Sequence, residues 1–194
     1  RMGEPEVIVK EIKEFLTKKK ITDLPLQGRR VLINAGPTVE PIDPVRYISN
    51  YSSGRMGIAL ADTATRLGAD VTLVLGPVSV KPGEKAVIVV PVKTASEMKE
   101  ESLKAFAACD IAILAAAVAD FTPETTSATK VKRGDASLVL RLKPTEDIAA
   151  CLGKMKKEGQ FLAGFALETD NEVANATAKM RRKNLDMIIL NSLR

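Results

Sequence analysis

Short apolar runs alternate with stretches of helical spacing, and that alternation limits the folds open to this chain. Val31-Leu32-Ile33, Asp70–Leu75, Ala86–Pro91, Ile111–Ala115, Phe161–Ala166 and Met187–Leu190 have the length and character of strands. Between them, helical spacing runs from about Ser53 to Leu67, from Thr94 to about Ala108, and from Asp170 or Asn171 to about Asn184. A further helical stripe is formed by Ile148, Cys151, Leu152 and Met155, with Thr145 placed to cap it. Thr94 and Glu97 form a capping box, and Gly68 and Gly159 are helix stops. Ile111–Ala115 is almost wholly apolar, as a strand covered on both faces must be. Strands that alternate with helices imply an α/β fold: a doubly wound, mostly parallel, Rossmann-like sheet with right-handed crossovers.

Two stretches interrupt the alternation. The first runs from Asn34 to Gly57, carries Pro37, Pro41 and Pro44, and ends in Ser52-Ser53-Gly54-Arg55-Met56-Gly57 at a helix entrance. Most connectors need only a few residues, so this loop reads as the active-site loop. Its end can hold an anion on the unpaired first-turn N–H groups, or it can be an ordinary helix start with a close-packing glycine. Gly36 and Gly54 are too far apart for the dinucleotide fingerprint. The second interruption, Phe121–Ser137, is rich in Ser and Thr and carries Lys130-Val131-Lys132-Arg133-Gly134. It reads as a mobile flap or hairpin arm, followed by an edge strand at Leu138–Leu142. Ligands bind beyond the C-terminal strand ends of such sheets, so the loop, Ala115–Asp120 and Gly164–Thr169 should converge there.

Composition removes several chemistries. The chain has no His, which excludes imidazole bases, Ser-His triads and His-ligated metals. Aromatic residues make up only 4%, without Trp, so base-stacking nucleic-acid platforms are not expected. The surplus of 29 basic over 24 acidic residues suits an acidic small molecule, a phosphate or a nucleic acid. No apolar run is long enough to span a membrane, no signal peptide is visible, and a cytoplasmic location is expected. Cys109 and Cys151 read as buried thiols, and no metal-ligand cluster stands out. Small residues at Ala115, Ala116 and Ala117 let a ligand lie against backbone, and Asp120 can bind an amide or hydroxyl; tight packing and a turn would use the same residues. Lys130, Lys132 and Arg133, like Lys179 and Lys183 one turn apart, can clamp phosphates, though charge runs are usually solvated surface. Glu168 can be a catalytic carboxylate or a helix-entry charge. Residues 1–28 read as a lead-in helix and linker, with Ile8, Ile12, Phe15 and Leu16 on one stripe. Arg1 ahead of Met2 points to a piece of a longer polypeptide or a tag remnant.

AGPTxEPxDPVRYISNxSSGxMG, AAAVADF, Lys130-Val131-Lys132-Arg133 and GFALET resemble the phosphopantothenoylcysteine synthetase family, over about Gly28 to Asn191. The resemblance implies a ligase domain at 29–194, following a flavin-dependent decarboxylase domain that would carry FMN. It implies a chain that the family usually continues beyond the strand ending near Leu190. The implied reaction activates 4′-phosphopantothenate with CTP, Mg²⁺ riding on the phosphates, and joins the acyl-cytidylate to L-cysteine. The family motifs imply catalytic roles for Asn50 and Lys130. They imply nucleotide contacts at Leu114, Ala115, Ala116, Asp120, Lys130, Glu146, Asp147, Ile148, Ala149, Phe165, Lys179 and Lys183. They imply substrate contacts at Arg46, Asn50, Ser53, Gly54 and Ala117, with no metal ligand assigned to a side chain. Arg133 stands where a third lysine is common, and Glu146 where Pro is often found. A homodimer is implied, and neither nucleic acid nor membrane is an expected partner. Two other readings remain: a nicotinamide-dependent oxidoreductase, whose tight glycine turn and strand-end acid are missing here, and a non-catalytic nucleotide-binding domain.

Overall fold

In a computed structural model the structure describes residues 24–134, 137–168 and 171–192. The expected lead-in helix, with Ile8, Ile12, Phe15 and Leu16, lies outside the described residues, as does Thr169. In chain order the strands are β1 (Arg30–Ala35), β2 (Val39–Pro41), β3 (Tyr47–Ser49), β4 (Asp70–Leu75), β5 (Ile88–Pro91), β6 (Ile111–Leu114), β7 (Phe121–Pro123), β8 (Leu142–Pro144), β9 (Phe161–Glu168) and β10 (Met187–Ser192). The helices are α1 (Arg55–Arg66), α2 (Ala95–Phe106), α3 (Ile148–Met155) and α4 (Glu172–Arg182).

Six strands form one sheet in the order β10-β9-β6-β1-β4-β5, and every neighbouring pair is parallel. Counted along the chain, that is the doubly wound order 3-2-1-4-5-6 read from the β5 edge. Strand alternation sorts the core into two layers. Val31, Ile33 and Ala35 face one way, with Val71, Leu73 and Leu75, and are covered by Ile58, Ala61 and Ala64 of α1. Leu32 and Val74 face the other way, under Met98 and Phe106 of α2 and Ile148 and Leu152 of α3. The expected parallel, doubly wound sheet is therefore present. β2 with β3 and β7 with β8 make two small antiparallel ladders outside it.

The departures from expectation are local. Thr94 does cap α2 in a capping box with Glu97. α3 is capped by Asp147, whose carboxylate accepts from the Ala150 amide at 3.0 Å. Thr145, expected as that cap, instead donates its hydroxyl to the Ala119 carbonyl at 2.6 Å. The edge strand expected at Leu138–Leu142 is displaced: the pairing strand is Leu142–Pro144, against Phe121–Pro123. Leu138 and Val139 are exposed, so no buried face sets a register for them. Of the two thiols expected to be buried, Cys109 is, whereas Cys151 is only half-buried. Burial pushes the Cys109 thiol up to about 11.

One glycine shows how closely α1 is laid on the sheet. A Cβ at Gly57 would lie 2.3 Å from the Ala35 Cβ. We expect Gly57→Ala to cost about 1–3 kcal/mol of stability, the usual range for overpacking. Urea unfolding would read it as a lower midpoint, and an unchanged midpoint would mean that α1 can slide without penalty.

Candidate active site at the sheet's switch point

The chain reverses direction across the sheet between β1 and β6, and the loops from both strand ends meet there. Gly36 leaves β1 with φ +80°, a left-handed conformation that glycine adopts freely. Pairing then continues past both strand ends: Pro37 bridges Ala117, and the Ala117 amide donates to the Gly36 carbonyl at 2.9 Å. Thr38 is fully buried and its hydroxyl accepts from the Ala119 amide at 2.9 Å. Asn34, buried at the end of β1, accepts from the Ala116 amide at 3.2 Å. The Asn50 side-chain amide donates to the Val118 carbonyl at 2.9 Å. The Asn34–Gly57 stretch and the Ala115–Asp120 strand end are thus joined, as the sequence led us to expect.

Between Asn34 and Gly57 the chain is more ordered than a plain loop. β2 and β3 pair as a short antiparallel ladder. Glu40, 4% exposed, accepts from the Ala95 amide at the start of α2 at 2.8 Å, where a helix dipole favours a negative charge. At the far end Gly54 turns into α1 with φ +71°, without a side-chain cap and without an acid in the first turn. The first amides of α1 therefore face a cleft of about 430 Å³ lined by 51–57 and Ala115. An uncapped helix start of this kind can hold an anion, and the cleft brings Ser53 and Gly54 beside Ala115. An adjoining cleft of about 660 Å³ runs along the loop past Arg46, Ser49, Asn50 and Lys93. A third, more apolar cleft of about 770 Å³ opens beside β4 and β5, among Val78, Val80, Val87 and Val89, away from Ala115 and Phe165. Of the expected site residues, Arg46, Asn50, Ser53, Gly54 and Ala115 line the first two.

The remaining candidates extend from this junction. The Thr145 amide donates to the Asp120 carbonyl at 2.9 Å, which sets the start of α3 beside the end of β6. There Asp147 pairs with Lys183 at 2.7 Å, and Glu146 pairs with Lys99 of α2. Asp147, Ile148, Ala149 and Lys183 are therefore neighbours. Lys179 lies one turn before Lys183 on α4 and is half-buried. Leu114 is buried opposite Gly164, and Phe165 follows one step beyond that pair, half-buried. Lys130 is exposed on the flap. Among the described residues no group of three or more His, Cys, Asp or Glu could hold a metal.

The expected hairpin arm forms through the β7–β8 ladder. Its stretch from Thr126 to Val131 lies along the turn at 41–46. The Ser127 amide donates to the Ile42 carbonyl at 3.0 Å, and the Thr126 hydroxyl to the Pro41 carbonyl at 3.2 Å. Asp43, 3% exposed, accepts from the Val45 and Arg46 amides, each at 2.8 Å, and from the Val131 amide at 3.1 Å. The Arg46 guanidinium donates to Asp43 and to the Val131 carbonyl, so as folded it serves this junction. Burial pushes the Asp43 carboxyl up, but the three amides and the guanidinium outweigh it and hold it well below the usual carboxylate range. Asp43, Glu40 and Thr38 bind the segments around this junction to one another and were not among the expected contacts. An Asp-Pro pair before Val45 and Arg46 is a turn signal, but nothing local marks it as a partner for Val131.

The Asp147–Lys183 pair has a pH signature. Burial raises the Asp147 carboxyl, and Lys183 and the Ala150 amide more than reverse this. A carboxyl depressed in the folded state adds stability above its unfolded value, about 3.9. That contribution is lost as pH falls through the folded value. Asp147→Asn keeps a good helix cap and removes the charge. We expect it to cost no more than about 1 kcal/mol at pH 7, because the pair is partly screened. The gap between the denaturation midpoints of parent and variant should begin to shrink as pH falls below about 4 and go on shrinking through the folded value; a gap of constant size throughout the acid range would rule out the ion pair as its source.

With this geometry in place, likeness to known proteins becomes informative. The model of the DNA/pantothenate metabolism flavoprotein C-terminal domain matches residues 26–194. A protein of an unknown prokaryotic organism named cysteine/cysteine sulfinic acid decarboxylase is 68% identical across the whole chain, which spans 54% of it. The coenzyme A biosynthesis bifunctional protein CoaBC of Bacillus subtilis is 46% identical across the whole chain, which spans 47% of it. The chain thus spans about half the length of these relatives. The crystal structure of the C-terminal domain of a CoaBC superposes with a TM-score of 0.76 at 44% identity, over 86% of this chain and 78% of that one. The chain belongs to the DNA/pantothenate metabolism flavoprotein C-terminal domain family.

Proposed function

We propose that this domain is a phosphopantothenate–cysteine ligase that uses CTP and serves coenzyme A biosynthesis. The observation that carries the proposal is the junction of Asn50 and Gly54 with Ala115 and Val118 at the switch point, in a chain of the CoaBC C-terminal family. In this reading a carboxylate oxygen of 4′-phosphopantothenate attacks the α-phosphorus of CTP, and pyrophosphate leaves. The amine of L-cysteine then attacks the acyl carbon of the acyl-cytidylate, and CMP leaves. The uncapped first turn of α1 takes a phosphate, and the bare backbone at 115–117 takes the nucleotide or the acyl group. Asn50 is oriented by its bond to the Val118 carbonyl and presents a neutral amide to the acyl phosphate. Phe165 packs on the base, Lys179 and the Lys183–Asp147 pair border the nucleotide, and Lys130 brings positive charge to the α-phosphate. Mg²⁺ would supply charge neutralisation on the triphosphate. Among the described residues no group of three or more His, Cys, Asp or Glu could cage it, so phosphate oxygens and water would supply most of its ligands.

The name of the 68% relative favours a second reading, decarboxylation of cysteine or cysteine sulfinic acid. That name describes a protein of which 46% lies outside the share this chain spans, and the clefts described above suit phosphate and nucleotide. Both readings take a cysteine-like substrate, so product analysis separates them. We expect pyrophosphate and CMP from CTP, 4′-phosphopantothenate and cysteine together, with far less from ATP, because a wrong base leaves buried groups unpaired. Carbon dioxide from cysteine alone, with no nucleotide consumed, would favour the second reading. Lys130→Gln should lower pyrophosphate release by about two orders of magnitude and leave thermal stability nearly unchanged, since the lysine is exposed. Normal turnover in that variant would remove Lys130 from the mechanism.

The ligase reading includes a homodimer. Leu138, Val139, Leu140 and Leu142 are exposed on the flap arm next to exposed Phe121 of β7. A row of apolar side chains left in water suits burial against a second copy. Sedimentation at micromolar protein should show dimer, and Val139→Lys should shift it toward monomer; a parent that stays monomeric would remove the dimer from the reading.

A further inference from the structure

We propose that Asp43 is a positioning residue, a clamp that holds the flap backbone at Val131 and so sets where Lys130 stands over the substrate loop. The proposal rests on the ligase reading, in which Lys130 meets the nucleotide. Five donor atoms converge on the one carboxylate. Oδ1 accepts from the amides of Val45 and Arg46, which closes the turn between β2 and β3. Oδ2 accepts from the Arg46 guanidinium and from the amide of Val131. The same guanidinium donates to the Val131 carbonyl. Both backbone polar groups of Val131 are therefore held by a single Asp–Arg pair, 88 and 85 residues away in sequence. Lys130 is the preceding residue, so its Cα lies about 3.8 Å from a fixed point.

The chemistry needs a carboxylate at this place. The carboxylate is buried, and a charge removed from water must be met by donors. An amide of the same shape could keep the turn through its oxygen. Its NH₂ would then face the Val131 N–H and the guanidinium, donor against donor. Asp43→Asn therefore opens the clamp and leaves the turn closed.

The test reads turnover and hydrogen exchange on the whole chain. We expect Asp43→Asn to lower kcat for pyrophosphate release by about a hundredfold, the scale of a displaced catalytic group, with KM for CTP within about twofold. In a Lys130→Gln background the same change should cost less than about twofold, because the clamp acts through a lysine already removed. The Val131 amide should exchange at least about tenfold faster in Asp43→Asn, while amides of β1 and β6 keep their protection. If Asp43→Asn fails to fold, Val131→Pro removes the donor from the flap side and is read by kcat in the parental and Lys130→Gln backgrounds, since proline has no amide to exchange. Parental kcat in Asp43→Asn, or a loss equally large in the Lys130→Gln background, overturns the proposal. A parent with no ligase activity overturns the ligase reading instead. The exchange of the Val131 amide then decides the clamp alone, and equal rates in parent and variant would end it.

Discussion

Backbone groups at the point where β1 and β6 part must find partners, and the site is arranged around how they do. Two parallel strands that simply stopped would leave N–H and C=O groups unpaired at the centre of the sheet. Here the ladder runs on through Gly36, Pro37 and Ala117, and side chains replace backbone where the two paths diverge. Asn34 serves the Ala116 amide, Thr38 the Ala119 amide, and Asn50 the Val118 carbonyl. Each of these bonds is worth only about 1 kcal/mol net, but an unmade one in the interior costs more. The crevice is the space left between two segments bound to each other at their bases. Its catalytic candidate, Asn50, is one of the residues doing the binding.

Carboxylates secure the two ends of the sheet in different ways. At the N-terminal ends of the strands, Asp110 accepts from the Arg30 amide at 2.8 Å and Asp186 from the Leu162 amide at 2.8 Å, each also paired to a cation. These acids lie at the surface and tie strand starts together. At the C-terminal ends, Glu40 and Asp43 are buried and accept mainly from backbone amides of loops and a helix start. A buried charge tolerates little displacement, because losing a donor leaves it poorly solvated. Loops held this way can carry reactive groups with the precision of regular elements. The Rossmann-like order itself says nothing of the reaction, since the same sheet hosts many.

Glycine marks the closest approaches around the crevice. Gly57 lets α1 lie on Ala35, which brings the first-turn amides of the helix up to the end of β1. Gly76 lets the β4 end pass the Pro37 carbonyl, where a Cβ would sit 1.8 Å from the oxygen. Side chains at either position would push apart surfaces that meet beside the crevice.

The sheet, its parallel sense and most helix limits could be read from the chain, because apolar periodicity and the capping box between Thr94 and Glu97 are local signals. The loop from Asn34 to Gly57 also stood out as a candidate site, because plain connectors are rarely so long; the small-residue run at 115–117 read equally as tight packing, and only its motif resemblance pointed to a ligand. Other features depended on partners far away in sequence. Thr145 has the composition of a cap, yet the Ala119 carbonyl claims its hydroxyl and leaves Asp147 to cap α3. Leu138–Leu142 has strand-forming residues, but no buried face fixes its register, and the ladder forms nearer Pro144. Asp43 resembles any turn aspartate until folding brings Val131 to it. Composition gave no sign of what holds the flap; tertiary structure decided that, since a buried carboxylate binds backbone amides that every residue but proline carries.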